Sequence, residues 1–233
     1  MTKRFNNAIG EEYELFKLAV PHYDELQEKI AELINTKYNQ KSIKVLEIGC
    51  GPGQTTLKLL KNSKSTITAI DNEPVMIEQA KEVMKDFIDE SRVHLILGDA
   101  LEFLKKQEDN AFDVVASGYT IHNFKQDYRK EVLKEIYRIL KKEGLFINAD
   151  KYARDDKKEH DEDLKWQIKQ FEVYDSINRS DLKDSWTKHY IEDENPEVIM
   201  YEGNSIDDMK SIGYLNIEVI YRNHMEAIVI GTK

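Results

Sequence analysis

A single cysteine, Cys50, stands in 233 residues, so no internal disulfide can form, which fits a reducing compartment. No apolar run approaches the ~18 residues that a membrane-spanning helix needs. The opening stretch "MTKRFNNAIGEEYELF" has basic residues but no apolar core of signal-peptide length. These absences set the expectation of a cytoplasmic protein with no membrane partner. Positive charge is also in short supply. Lys and Arg total 34 against 44 Asp and Glu, a net charge of −10. With a pI near 5.2, that argues against a broad nucleic-acid-binding face and leaves only a local basic groove open. Internal repeats and low-complexity linkers are missing. What remains is ordinary for a soluble globular chain: 40% hydrophobic and 9% aromatic residues, enough for one domain with an appendage or two small ones.

Apolar runs of strand length alternate with segments of helical period. "IKVLEI" (43–48), "TITAI" (66–70), "VHLIL" (93–97), "FDVVAS" (112–117) and "LFINAD" (145–150) are nearly continuous in apolar residues. That pattern suits parallel strands covered on both faces. "PHYDELQEKIAELI" places Leu26, Ile30, Leu33 and Ile34 on one helical side. "PVMIEQAKEVMKDFI" spaces Met76, Ala80, Val83 and Phe87 helically, with Pro74 suited to a first turn. "DYRKEVLKEIYRILKKEG" carries the stripe Val132, Leu133, Ile136, Ile139 and Leu140, and Gly144 is placed as its C-terminal stop. The rhythm predicts an α/β doubly wound sheet. It divides the chain into N-terminal helices (1–42), a cofactor-binding core (43–150), a helical cap (151–204) and a C-terminal helix with a strand pair (205–233). The cap is heavily charged, with Trp166, Phe171, Tyr174, Trp186 and Tyr190 scattered through it. Helices are expected over about 157–175 and 179–191, in a weakly apolar segment that orders over a bound acceptor. A cap that forms part of a homodimer interface is the rival picture.

The loop "VLEIGCGPGQ" poses the chemical question. Gly49, Gly51 and Gly53 follow the first strand, with Glu47 before them and Cys50 between. In open α/β sheets, ligands bind beyond the carboxyl ends of strands where the order reverses. The spacing G-x-G-x-G lacks the third position of the dinucleotide fingerprint, which weakens a pyrophosphate role. Asp71, about twenty residues on at the end of "AID", can accept from ribose hydroxyls or cap the helix at Pro74. Asp99, in "LGDALEF", can serve adenine together with the Ala100 backbone, or cap the helix that follows.

Taken in order, "VLEIGCGPG", "AIDNEPVMIEQA", "GDA" and "FDVVASGYTIHNF…EIYRILKKEGLFI" resemble the motifs of class I S-adenosylmethionine-dependent methyltransferases, over about Lys44 to Asp150. The resemblance implies a Rossmann-like, seven-stranded sheet with its last strand antiparallel, S-adenosyl-L-methionine as cofactor and a small-molecule acceptor. It implies that the glycine loop lies against the methionine part of the cofactor, Asp71 binds ribose and Asp99 contacts adenine. Met76, Ser117 and Gly118 belong to the same implied site. A narrower resemblance, through "PHY", "AIDNEPVMIEQA", "ADKYARDD" and the C-terminal 25 residues, is to the carboxy-S-adenosylmethionine synthase and tRNA wobble-uridine methyltransferase group. That would bring Tyr23 and Asn72 to the cofactor. The group's carboxylate-holding arginine has no counterpart around "WQIKQFEVYDS", and neither Arg154 nor Arg179 matches it. The departure favours an ordinary methyltransferase, with the synthase and a cofactor-binding protein without turnover as alternatives.

Methyl transfer asks mainly for alignment, with a base where the acceptor must lose a proton. His122 is the candidate base, or else a packed or capping histidine. Tyr119, Asp150 and Lys151 are candidate acceptor contacts. Cys50 is not expected to act as a nucleophile, and no cluster along the chain has metal-ligand spacing.

Overall fold

A computed structural model describes residues 8–39, 41–62 and 64–233. Residues 1–7, which the sequence assigns to the N-terminal helices, lie outside these. Two short helices, α1 (Ala8–Glu11) and α2 (Phe16–Ala19), lead into α3 (Tyr23–Tyr38). The alternating core follows as β1 (Lys44–Ile48), α4 (Gln54–Asn62), β2 (Thr66–Asp71), α5 (Pro74–Val83), α6 (Lys85–Asp89) and β3 (Val93–Leu97). It continues through α7 (Ala100–Lys105), β4 (Phe112–Gly118), α8 (Gln126–Ile139) and β5 (Leu140–Lys151). The cap comprises α9 (Lys157–Gln170), α10 (Val173–Ser176) and α11 (Ser180–Glu192). Then come α12 (Glu202–Ile212), β6 (Leu215–Asn223) and β7 (Glu226–Thr232).

The seven strands lie in the order β3-β2-β1-β4-β5-β7-β6. β7 runs antiparallel to both of its neighbours, while β1 to β5 are parallel. Strand residues alternate between two buried layers. Val45, Ile67, Val114 and Ile147 pack on the α3 side, and Leu46, Ile70, Val115 and Phe146 on the α8 side. Burial on both faces is why the strands read as continuous apolar runs. The register sets Ile48 level with Ile70 and Ser117. The ends of β1, β2 and β4 therefore open together where the strand order reverses.

Three local expectations are corrected. The helix before β5 ends at Ile139, and Leu140 is already extended and paired with Phe112. Gly144 lies within the strand, where a Cβ would come 2.7 Å from the Lys141 carbonyl oxygen, so its bareness serves strand packing and not a helix stop. The helix from Pro74 breaks at Met84, which is fully buried, while Val83 is 42% exposed. The cap is not weakly apolar. Phe171, Tyr174, Trp186 and Tyr190 are at most 3% exposed and join the α3-side core. Trp186 stacks on Phe16 at 4.3 Å, and Gln167 donates to the Ala19 carbonyl at 2.9 Å. In α11, Leu182, Trp186 and Tyr190 recur every four residues and form one inward stripe, on a helix whose remaining surface is largely charged.

Candidate active site

A cavity of about 370 Å³ opens above the ends of β1, β2 and β4. The glycine loop forms its floor, and its three glycines are bare for two different reasons. A Cβ on Gly49 would fall 2.1 Å from the Thr120 hydroxyl, and one on Gly53 would fall 2.7 Å from the Met84 methyl. At Gly51 (φ +53) no atom lies within 4 Å of that position. Gly49 and Gly53 are bare for packing, whereas Gly51 faces open cavity. Asp71 fixes the loop: its Oδ2 accepts from the Gly51 amide at 2.8 Å and its Oδ1 from the Glu73 amide at 2.9 Å. A carboxylate has about four acceptor sites, so Asp71 can still accept from a ligand.

The cavity gathers Gly49, Cys50, Gly51, Asp71 and Asn72 along its floor. Met76, Ala100, Gly118, Tyr119 and Tyr23 complete the expected set that reaches it. The other expected residues stand outside the lining. Glu47 is 1% exposed and accepts from Thr56 at 2.5 Å. Ser117 donates to the Ile48 carbonyl at 3.1 Å, tying β4 to β1. Asp99 caps α7 through the Glu102 amide and accepts from the Tyr128 hydroxyl at 2.8 Å, so the capping alternative describes its geometry.

His122, Asp150 and Lys151 form a separate buried cluster. His122 Nδ1 lies 2.5 Å from Asp150 Oδ1, and its backbone amide donates to Oδ2 at 3.1 Å. The Lys151 ammonium pairs with Asp193, at the end of α11, and sits 4.1 Å from the Tyr190 ring centroid. His122 Nε2 and His189 Nε2 approach Asp193 Oδ2 at 3.8 and 3.7 Å. A narrow void of about 10 Å³ beside these groups takes the exposed edge of His122, so His122 does not face the cavity. Among the described residues, His122, His189 and Asp193 could together hold a metal ion. No local spacing signals this grouping, because 71 positions separate the first from the last. Lys151 already supplies a cation to that carboxylate.

Residues 45–144 match the methyltransferase domain family. The chain is similar to the carboxy-S-adenosyl-L-methionine synthase of Shewanella piezotolerans, 28% identical over 77% of this chain and 74% of that protein. It is also similar to the demethylmenaquinone methyltransferase of Leptospira interrogans, 36% identical over 46% of this chain but only 42% of that one. A solved SAM-dependent methyltransferase from Archaeoglobus fulgidus shares the fold, with TM-score 0.63, 15% identity and coverage of 95% and 100% of the two chains. The domain match, these relatives and the shared fold support a class I S-adenosylmethionine-dependent methyltransferase. Its cofactor is S-adenosylmethionine.

The open backbone at Gly51 and the acceptor carboxylate of Asp71 on the cavity floor fit that cofactor. Burial pushes the Asp71 carboxyl above its ordinary value, against the lowering effect of the Glu73 and Gly51 amides. Glu47, buried beneath the loop, is pushed up to about 8 by desolvation. Burial also raises the Cys50 thiol well above its ordinary value, which leaves it an inert packing group. The carboxylate-holding arginine does not appear in the cavity either. Arg154 pairs with Asp163 at 2.5 Å, and Arg179 pairs with Asp181 at 2.7 Å and with Glu12. Among the described residues, the cation on the lining is Lys125, an exposed side chain paired with Glu197 at 2.6 Å.

Sequence reasoning missed Tyr13, Gln27, Thr55, Thr120 and Tyr128, which also line the cavity. One signal was available. Gln27 follows Tyr23 by four residues and precedes Ile30 and Ile34 on the buried side of α3, where a polar residue calls for a reason.

Proposed function

We propose that this methyltransferase binds its cofactor across the ends of β1 and β2 and transfers the methyl group to a small or medium-sized acceptor beside Tyr119, in the cytoplasm. The observation that carries the reading is Gly51, open to the cavity with its amide fixed by Asp71. In this assignment Gly49, Cys50 and Gly51 cradle the methionine part, and Asp71 with Asn72 takes the ribose. Met76 and Ala100 flank the base, with Asp99 behind them at the start of α7. The bound cofactor supplies an activated methyl group, and the chain's own residues align the acceptor and exclude water. Glu47, Gly53 and Ser117 support the loop from below. His122, Asp150 and Lys151 anchor the cap (151–204) to the core (43–150).

Calorimetric titration of S-adenosylhomocysteine tests the assignment. Hydrogen bonds to a charged group contribute about 1.5–3 kcal/mol each, so Asp71→Ala should weaken binding at least about tenfold. An unchanged affinity in a folded variant removes Asp71 from the ribose site.

A second reading, a carboxy-S-adenosylmethionine synthase, is favoured by similarity to such an enzyme over 77% of this chain. The absence of arginine from the described cavity lining weighs against it. Mass spectrometry of ligand co-purifying with the protein separates the two, because a cofactor heavier by a carboxylate belongs only to the synthase.

A further inference from the structure

The cavity has one wall unlike the rest. Where β4 ends, Tyr23 and Tyr119 stack with centroids 5.4 Å apart, and Tyr13 meets Tyr23 edge-on at 6.4 Å. Phe16 backs both Tyr23 and Tyr119 in edge contacts at 5.6 and 5.7 Å. Tyr119 has φ +51, a left-handed conformation rare for a bulky residue and concentrated at functional sites. Its amide is bonded to the Ala149 carbonyl at 2.9 Å, so the ring is delivered to the point where the strand order reverses.

Two polar atoms of this wall lack partners. Tyr119 is 7% exposed and Gln27 3% exposed, yet neither the Tyr119 hydroxyl nor Gln27 Oε1 has a hydrogen-bond partner. Glu226, 1% exposed, also has an unpartnered carboxyl oxygen. An unpartnered buried acceptor is costly, and π faces repel an anion while attracting a cation. Lys125 stands apart on the segment entering α8, near Tyr128. A neutral apolar acceptor would leave the oxygens unpaired, and a carboxylate would bring more acceptors to oxygens that already lack a donor.

We propose that this wall is the acceptor subsite and that the acceptor is an amine, its nitrogen held against Tyr13, Tyr23 and Tyr119 and reached by Gln27 Oε1 and the Tyr119 hydroxyl. The inference rests on the methyl-transfer reading and narrows its substrate class. The amine reacts as the free base. Its lone pair forms the new N–C bond while the C–S bond breaks with its electron pair left on sulfur. The methylated ammonium keeps its hydrogens until release, when solvent takes any proton it gives up. No side-chain base is required, in keeping with His122 lying outside the cavity. The wall then stabilises the positive charge that develops on nitrogen as it leaves sulfur.

The test uses protein saturated with S-adenosylhomocysteine, titrated calorimetrically with choline and with its neutral isostere 3,3-dimethylbutan-1-ol. Choline is expected to bind at least tenfold more tightly. Tyr119→Leu should lose at least fivefold in choline affinity, Tyr119→Phe should stay within threefold because the ring remains, and Gln27→Leu should also lose affinity. Affinity for S-adenosylhomocysteine is measured in the same samples and should change less than twofold. Equal binding of the two isosteres overturns the proposal, as does no choline binding by protein that binds S-adenosylhomocysteine. If S-adenosylmethionine binds far more tightly than S-adenosylhomocysteine while choline does not bind, the wall serves the cofactor's own cation and the amine is excluded. Failure of S-adenosylhomocysteine itself to bind removes the cofactor reading first, and the amine with it.

Discussion

Two regions beyond the carboxyl ends of the strands behave in opposite ways. Above β1, β2 and β4 the backbone is bare, and a cavity of about 370 Å³ remains. Above β5 the same edge is filled: Asp150, Lys151 and His122 meet Asp193 and His189 from α11, leaving a void of about 10 Å³. The topology is shared, so the difference comes from side chains. Glycine leaves space that a ligand can fill. Charged residues at a strand end must be paired once a helix covers them, and the pairing itself closes the region. A carboxylate at the end of a strand therefore does not by itself mark a ligand contact. Asp71 and Asp150 hold equivalent positions, yet only Asp71 reaches the cavity.

The sharpest way to break the comparison is to fill the open region. Gly51→Val puts a branched side chain into the one loop position with open space, at φ +53. S-adenosylhomocysteine binding should fall more than about a hundredfold, equivalent to about 2.7 kcal/mol, while circular dichroism shows a folded sheet. Normal binding by the folded variant would mean that the loop faces something other than the cofactor.

The converse change opens the closed region. Lys151→Met leaves the buried Asp193 carboxylate without its ammonium. Removing one partner of a buried ion pair costs about 3–5 kcal/mol, which urea denaturation should report. Cofactor affinity, measured while the variant is folded, should stay within about threefold, a change of roughly 0.65 kcal/mol. A variant of unchanged stability that has lost cofactor affinity would reverse the roles assigned to the two regions.

The last effect is read in pH. Glu47, beneath the open loop, binds its proton up to about pH 8 in the folded chain, whereas an unfolded glutamate releases it near ~4.3. Between those values the native state holds the extra proton, so stability falls as pH rises and levels off above the folded value. Glu226, pushed up to about 7 by burial, acts in the same direction over a narrower window. Glu47→Gln should flatten the decline between pH 5 and 8 in urea midpoints. An equally steep decline in that variant would show that Glu47 is not the source.

Legibility followed range. Five strand runs and the major helices could be read because burial on two faces or one stripe leaves a local pattern. Gly144 and Val83 misled because a helix stop and a helix face have signatures that distant contacts overrode: the Asp113–Lys141 pairing and the fit of Met84 against Gly53. The cap aromatics looked isolated because their partners lie far back in the chain: Trp186 stacks on Phe16, 170 residues earlier, and Tyr174 donates to the Leu15 carbonyl, 159 residues earlier.

By itself the sequence determined the α/β class, the doubly wound rhythm, the bare loop after the first strand and an acid at the end of the second. Each follows from residues close enough along the chain to share one element, so periodicity and spacing carry them. Only the tertiary structure decided which glycine faces the cavity, that His122, Asp150 and Lys151 close upon Asp193 away from it, and that Tyr13, Gln27 and Tyr119 share its wall. Those groupings join side chains from separate elements, and their distances are set by how helices pack on the sheet, which no local pattern encodes.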